Sequence, residues 1–379
     1  MRVITRHLTA QILMATSLVL LALIGLFLFF DLVGQASKIG TRYSLAQAFL
    51  VTGLEIPARL YEVMPIAVLL GAVYTMSRWA SNSEFTILRV AGMSPLSLVR
   101  SLTVPALICV VLTYALGEIV APAADRLNKD VQVVLNNRAI TADNYRSGVW
   151  ARDQIFDQTG RLELSRYVNV QSLGSGAAQT ARGWKVFEFS PSNELVRMIE
   201  APEGVYSGKG WELHDATVSI LPSLARGSDA ESPSSVKVTQ EKKLNLNTSL
   251  APNILSVMVA DQPESMSMGD LWSYLAHLKS NKEETGRFEI AFWKKAFYPL
   301  SIFVMLALAM PFAYMSTRAG GVSVKIFMGV MMGIAFYAMN SLFSYLGGAS
   351  TLPPIAAALM PTMAALMLAA VAIWRVEHR

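Results

Sequence analysis

Six long apolar runs, three before and three after one polar stretch, constrain this chain more than any single residue does. They lie near residues 10–30, 58–77, 102–121, 297–315, 326–346 and 355–374. About 20 apolar residues in a helix cross the roughly 30 Å hydrocarbon core of a bilayer. Pro57, Arg59, Glu62 and Pro65 punctuate the second run, and Pro105 the third. The pattern predicts a membrane α-helical bundle of six transmembrane helices (3 + 3) with an inserted all-β domain. Residues 1–122 would hold helices 1–3, 123–290 the β domain and a connecting helix, and 291–379 helices 4–6.

Hydrophobic residues are 53% of the chain and charged ones 16%, where soluble domains carry about 25% charge. The single cysteine, Cys109, lies inside the third run. It can close no internal disulfide, so the polar stretch folds without one. Cys109 reads as a small packing residue. The first run is too long for a removable signal peptide and lacks its small-residue cleavage site.

Loop charges orient the bundle. With the N-terminus inside, the inner segments carry Arg2, Arg6, Arg78, Arg89, Arg100, Arg318, Lys325, Arg375 and Arg379 against only Glu84 and Glu377. Lys38 and Arg42 are the bases of the short outer segments, and loop 347–353 carries no charge. This positive-inside bias predicts cytoplasmic termini and an outer β domain. The net charge of +5 comes partly from these loops, so it is no signature of nucleic-acid binding.

Within 123–290, the segments Arg161–Val170, Trp184–Phe189, Gly204–Tyr206 with Trp211–Leu213, Ala216–Leu221, Val236–Gln240 and Leu244–Asn247 alternate apolar and polar residues. Glycines and prolines separate them. Short strands at this spacing predict an antiparallel sandwich or barrel, with 172–183 and 223–235 as exposed loops. Periodicity leaves open whether the apolar face is simply buried or admits a guest chain. Ser267–Ser280, with Leu271, Trp272, Leu275 and Leu278 at helical spacing, predicts a connecting helix. Phe288–Ala296 leads into the fourth span, and Gly117–Arg126 carries the third outward past Pro122.

The most informative local motif joins spans two and three. Ser81-Asn82-Ser83-Glu84 matches the capping box S-x-x-E, Gly92 is placed to stop a helix, and Pro95 to begin the next. A surface helix over about 82–91 follows, grouping Phe85, Leu88 and Arg89. One use for it is a lever docked in a groove of a cytoplasmic partner; another is an interfacial helix resting on lipid headgroups. Glu84 can serve as a cap carboxylate or as the partner of an incoming arginine.

Several chemistries find no residues. The chain has no G-x-x-x-x-G-K-[ST] to cradle ATP phosphates, no metal-spaced Cys/His cluster and no G-x-S-x-G elbow. His7, His214, His277 and His378 are scattered. Ionisable groups in the spans are few, chiefly Arg59, Glu62 and Glu118, so a proton relay lacks its parts. No catalytic residue, metal or cofactor is expected on this chain. The energy source is expected to be a separate ATPase that binds ATP and magnesium.

Four strings then bear a resemblance. They are Ser83-Glu84 through Ala91-Gly92; Gly117-Glu118 with Val120-Ala121-Pro122; Val149-Trp150-Ala151-Arg152-Asp153; and Gly286-Arg287-Phe288 with Trp293, Lys295, Phe297 and Pro299-Leu300-Ser301. In combination they resemble the LptF/LptG (YjgP/YjgQ) permeases of the lipopolysaccharide exporter, over essentially the whole chain. The last three look like the LptG branch rather than LptF. The resemblance implies a periplasmic β-jellyroll between spans three and four in a bacterial inner-membrane protein. It implies a heterodimer with an LptF-type permease on an LptB-type ATPase dimer. It further implies an LptC-type single-span partner and a periplasmic LptA-type bridge, with lipopolysaccharide as ligand. Glu84, Phe85, Leu88 and Arg89 would couple to the ATPase, and spans one and five would form lateral gates. Lys129, with Arg126 nearby, falls where family members face the lipid's phosphates. Some LptG proteins carry a lysine near the outer end of span one; the aligned Phe27-Leu28-Phe29-Phe30-Asp31 has none, leaving Lys38 and Arg42 to substitute. Gln132 occupies a second basic position.

Lifting a many-chained amphiphile from a bilayer sets the physical problem. Each CH₂ moved into water costs roughly 0.8 kcal/mol, so an apolar cavity is required. The candidates are Leu26, Phe27 and Phe30 in span one and Phe336, Met339, Leu342 and Phe343 in span five. Asn340, Ser341 and Ser344 would bond between helices or meet the headgroup, and Lys38, Arg42, Arg126 and Lys129 its phosphates. The competing expectation is a membrane scaffold or mechanotransmission permease whose β domain binds periplasmic partners without moving lipid.

Overall fold

The apolar runs lie within longer helical segments, the fourth filling the C-terminal part of its own. The computed structural model describes residues 2–36, 39, 44–92, 95–135, 148–156, 161–173, 179–208, 210–222, 235–252, 254–255, 263–314, 321–349 and 352–377. The helices are α1 (Arg2–Gln35), α2 (Leu45–Ser81), α3 (Glu84–Val90), α4 (Pro95–Ala115), α5 (Ala121–Leu135), α6 (Met268–Ser280), α7 (Gly286–Ala309), α8 (Pro311–Tyr314), α9 (Val322–Gly348) and α10 (Pro354–Glu377). Among the described residues, six helical segments are long and apolar enough to cross a membrane, three on each side of the β region. The chain divides into a helical unit, 1–128 with 286–379, and a sheet unit, 129–285.

In the helical unit α2 is the central element. Ser44 and Gln47 start it with a reciprocal capping box, which satisfies two of its unpaired amides. Leu8 and Ile12 of α1 are buried with Leu69, Ala72 and Met76 of α2. Pro65 lies inside α2 and has no N–H to give the carbonyl of Tyr61, four residues back. Tyr298 of α7 supplies the donor: its hydroxyl reaches the Tyr61 oxygen at 2.9 Å and the Glu62 oxygen at 2.7 Å. Between α4 and α5 the helix widens into a π-turn, Leu116–Val120. There Gly117 abuts the Tyr61 ring, where a β-carbon would fall 2.4 Å from a ring carbon. Glu118 in the same turn pairs with Lys295 of α7 at 3.3 Å, both largely buried.

The fifth span reveals a motif that hydropathy alone does not separate. Gly329 and Gly333 form G-x-x-x-G, and β-carbons at these positions would come 3.3 Å from Leu70 and 3.2 Å from Ile66 of α2. Small residues let two helix backbones approach closely where lipid supplies no hydrophobic drive. The same face of α9 then carries Phe336 inward.

The sheet unit holds six antiparallel strands in sequential order: β1 (Val149–Phe156), β2 (Leu162–Leu173), β3 (Thr180–Phe189), β4 (Leu195–Tyr206), β5 (Trp211–Ile220) and β6 (Lys237–Leu246). Among the described residues the strands form one sequential antiparallel meander. Ala151, Val168, Val186, Ile199 and Val218 form one cross-strand row on its buried face. Trp184 and Trp211 pack at 4.8 Å beside that row. The Trp211 indole donates to the Leu250 carbonyl at 2.7 Å, and α6 buries Leu271, Leu275 and Leu278. Trp272, expected on that apolar face, is two-thirds exposed. The expected loop 172–183 is shorter, because β2 reaches Leu173 and β3 begins at Thr180; residues 223–234 lie outside the described set.

One register step along, the buried face changes from apolar to ionic. Asp153, Arg166, Glu188 and Arg197 stand side by side on β1 to β4. Arg166 reaches Glu188 at 2.7 Å, and Arg197 reaches its other oxygen at 2.6 Å. Burial alone would raise the Glu188 carboxyl, but the hydrogen bond from Arg197 and the charge of Arg166 hold it below its usual range. Thr248 and Ser249 donate to Asp153 at 2.6 and 2.8 Å. Ser249 also meets His277 of α6 at 3.2 Å, and burial lowers that imidazole's proton affinity. Every charge in the row has a partner, which a buried ion requires.

Candidate lipid-facing site and coupling helix

The turn between α2 and α4 contains the expected short helix with a different start. Ser81 is the last residue of α2, and its hydroxyl donates back to the Arg78 carbonyl at 2.8 Å. Ser83 takes a left-handed backbone, φ 61°, and its carbonyl accepts the Ile87 amide at 3.1 Å. Asn82 donates to the Glu84 carboxylate at 3.2 Å. The capping box therefore does not form: α2 continues through its first residue. The helix is seven residues, Glu84–Val90, not the ten expected over 82–91.

Its faces also separate differently. Phe85 is 2% exposed and lies edge-on to Tyr314 at 5.1 Å, so it anchors α3 to the bundle instead of meeting a partner. Leu88 packs partly against the same core. Ile87 and Val90 are the exposed apolar residues, and Glu84 is half-buried at the helix start. Arg89 lies within the helix. Among the side chains described, α3 exposes Thr86, Ile87 and Val90, with Glu84 half-buried at its start, on a helix that Phe85 pins to the bundle.

Exposed apolar side chains line α1 and α9, and α4 and α10 as densely. Leu26, Phe30 and Leu342 are more than half exposed, with Phe29 and Val33 continuing the α1 stripe. Phe27, Met339 and Phe343 are half-buried. Phe336 is the correction among the seven: it is buried in the core, because Gly329 and Gly333 seat that face of α9 on α2. Asn340 and Ser344 donate to the carbonyls of Phe336 and Asn340 in their own helix.

The residues just described match a known family. Its profile, described as the lipopolysaccharide export system permease LptF/LptG, matches residues 6–375. The chain belongs to the LptF/LptG family. It is 27% identical to the lipopolysaccharide export system permease protein LptG of Escherichia coli (strain K12), over 354 residues covering 92% of this chain and 91% of that protein. It is likewise 27% identical to the LptG of Haemophilus influenzae (strain KW20 / Rd), covering 94% of each. As an LptF/LptG protein it is a multi-pass permease subunit of a lipopolysaccharide export system and not itself an enzyme.

The basic residues expected at headgroup level divide in two. Arg126 and Lys129 are exposed on α5; Lys38 and Arg42 lie outside the described residues. Sequence reasoning noted Arg59 as an interruption of an apolar run and as one of the few ionisable groups in the spans, and gave it no role. Asp31 of α1 holds its guanidinium at 3.3 Å and Glu62 at 3.5 Å. It sits 5.4 Å from the centre of the Phe27 ring, and Tyr337 of α9 donates to Glu62 at 3.2 Å. Three helices thus meet at one charged cluster. The signal that could have found it was the position of Asp31 and Arg59, at the end of one run and the start of the next.

Proposed function

We propose that this chain is one half of a permease pair that lifts lipopolysaccharide out of the inner membrane and delivers it to a periplasmic bridge of β-jellyroll proteins. An LptB-type ATPase dimer in the cytoplasm binds ATP and magnesium and supplies the motion. An LptF-type permease completes the cavity, with an LptC-type helix and an LptA-type bridge as further partners. Both termini are cytoplasmic and the sheet unit periplasmic, as the loop charges require. The match to the LptF/LptG family over residues 6–375 carries this reading; the exposed apolar faces of α1 and α9, shared by α4 and α10, are surfaces fit for lipid or partner contact. Glu84, Ile87 and Val90 of α3 form the outward contact for the ATPase, while Phe85 transmits its movement to the bundle.

Co-purification tests it. The chain expressed with its partner subunits retains lipopolysaccharide and a small cytoplasmic ATPase in detergent; loss of the lipid with the ATPase still bound would contradict the transport role. The alternative, a scaffold that moves no lipid, draws on one observation. On the sheet, Trp184 and Trp211 are buried against one another and the Trp211 indole is tied to the Leu250 carbonyl, so this part of its face is occupied by the chain's own residues. We therefore place this chain's lipid contacts on its spans.

A further inference from the structure

We propose that the π-turn Leu116–Val120 is a movable joint in the third span, latched by the Glu118–Lys295 pair, and that release of this latch is a step in lipid export. The proposal rests on the lipid-transport reading and adds to it one joint and one pair. The joint begins in the sequence. Gly117 and Pro122 stand at its two ends. The Ala121 amide reaches back five residues to the Leu116 carbonyl, where a regular helix reaches back four, and Pro122 brings no amide to the next carbonyl. Burial keeps the same count. The buried side of the third span advances by threes and fours through Leu98, Leu102, Ala106, Cys109, Thr113 and Gly117, then steps by five to Pro122. Ala124 and Asn128 continue it. Without the extra residue, Pro122 and Asn128 would swing about 100° away from the bundle. The wide turn is therefore what lets α4 and α5 bury one continuous side.

Two helices grip that turn at successive residues. Tyr61 of α2 lies against Gly117, where a β-carbon would fall 2.4 Å from the ring. Lys295 of α7 reaches Glu118 at 3.3 Å and lies 5.9 Å from the centre of the same ring. The Lys295 side chain is 7% exposed and that of Glu118 15%. A buried pair is a poor source of net stability, because desolvation offsets its attraction, and its best-attested use is to fix a register or to switch. Ionisable residues inside a span commonly mark a functional site, and π-turns recur at such sites. With the pair closed, α7 holds the extra residue at Glu118. With it open, the extra residue is free to move along the helix, and α5 turns against α4.

Spin labels astride the turn test the joint in the assembled complex in nanodiscs. Ile108 of α4 and Leu127 of α5 are exposed, and Cys109→Ala removes the native thiol. Both labels ride on one span, so a rigid movement of that span leaves their distance unchanged. The wild-type distance is expected to shift by a few ångström between the nucleotide-free and the vanadate-trapped complex. Glu118→Gln should show the shift without nucleotide. It should also raise the ATP hydrolysed per lipopolysaccharide delivered about tenfold, the scale of a lost coupling. A mere brace gives another pattern: Glu118→Gln lowers hydrolysis and delivery together, and their ratio stays. An unchanged ratio, or a wild-type distance fixed throughout a cycle that delivers lipid, overturns the inference and leaves transport intact. The wild-type distance decides even where Glu118→Gln fails to assemble. A wild-type complex that delivers no lipopolysaccharide overturns the proposed function and this inference together.

Discussion

The hydroxyl of Tyr298 shows how one atom can stand in for a missing backbone donor. Without it, the Tyr61 carbonyl opposite Pro65 has no helical partner, and a buried unpaired acceptor costs about 1–3 kcal/mol. Tyr298→Phe is therefore expected to lower thermal stability in nanodiscs by that order. Pro65→Ala restores the amide, so the loss shrinks in the Tyr298→Phe, Pro65→Ala double variant; an additive double variant would show that the hydroxyl acts elsewhere. Glu118 and Lys295 follow a related rule. Removing one partner of a buried pair costs about 3–5 kcal/mol, whereas apolar replacement of both can be nearly neutral. Glu118→Leu and Lys295→Met singly should each destabilise more than the two combined, read from the same melting curves.

At the scale of elements, the hydropathy pattern gave the helices and missed their seams. All six spans were legible because 20 consecutive apolar residues admit little else. Phe336 was misplaced because periodicity cannot say which apolar stripe meets lipid and which meets a helix; Gly329 and Gly333 decide that by close approach. The Ser81 cap failed because its serine also suits the end of α2, where its hydroxyl has a carbonyl within reach. β1 was missed because its buried face carries Asp153 among apolar residues, and only the tertiary ladder with Arg166 makes a carboxylate acceptable there. For α3 the corrected faces set an expectation. Phe85→Ala should destabilise the chain itself, by about 3–5 kcal/mol, while Glu84→Ala or Ile87→Asp should leave it inserted and stable but weaken ATPase association in pull-downs. ATPase association that survives both surface variants would remove α3 from the coupling role.

The sheet unit carries its own pH dependence. Burial disfavours the charged form of His277, so its folded pKa lies below the unfolded value of about 6.5. Between those two values the unfolded chain binds more protons, and stability falls as pH falls. Glu188, depressed by Arg197 and Arg166, adds a second loss once pH drops below its unfolded value and through its folded one. The unit should hold its melting temperature above pH 7 and lose it progressively below about 6.5. His277→Gln should flatten only the first part of that decline; a flat profile in the unsubstituted chain would deny the ionic ladder its place in the fold.

For the whole molecule the central claim is that cargo travels along the exposed outer faces of α1 and α9, moved by an ATPase this chain does not contain. The most direct measurement is site-specific photo-crosslinking in the assembled complex during ATP turnover. A crosslinker at Phe30 or Leu342 is expected to capture lipopolysaccharide, and one at the buried Phe336 to capture none. Capture confined to positions nearer the other end of α1, such as Met14 and Leu18, or capture at Phe336 with none at Phe30 and Leu342, would contradict the account.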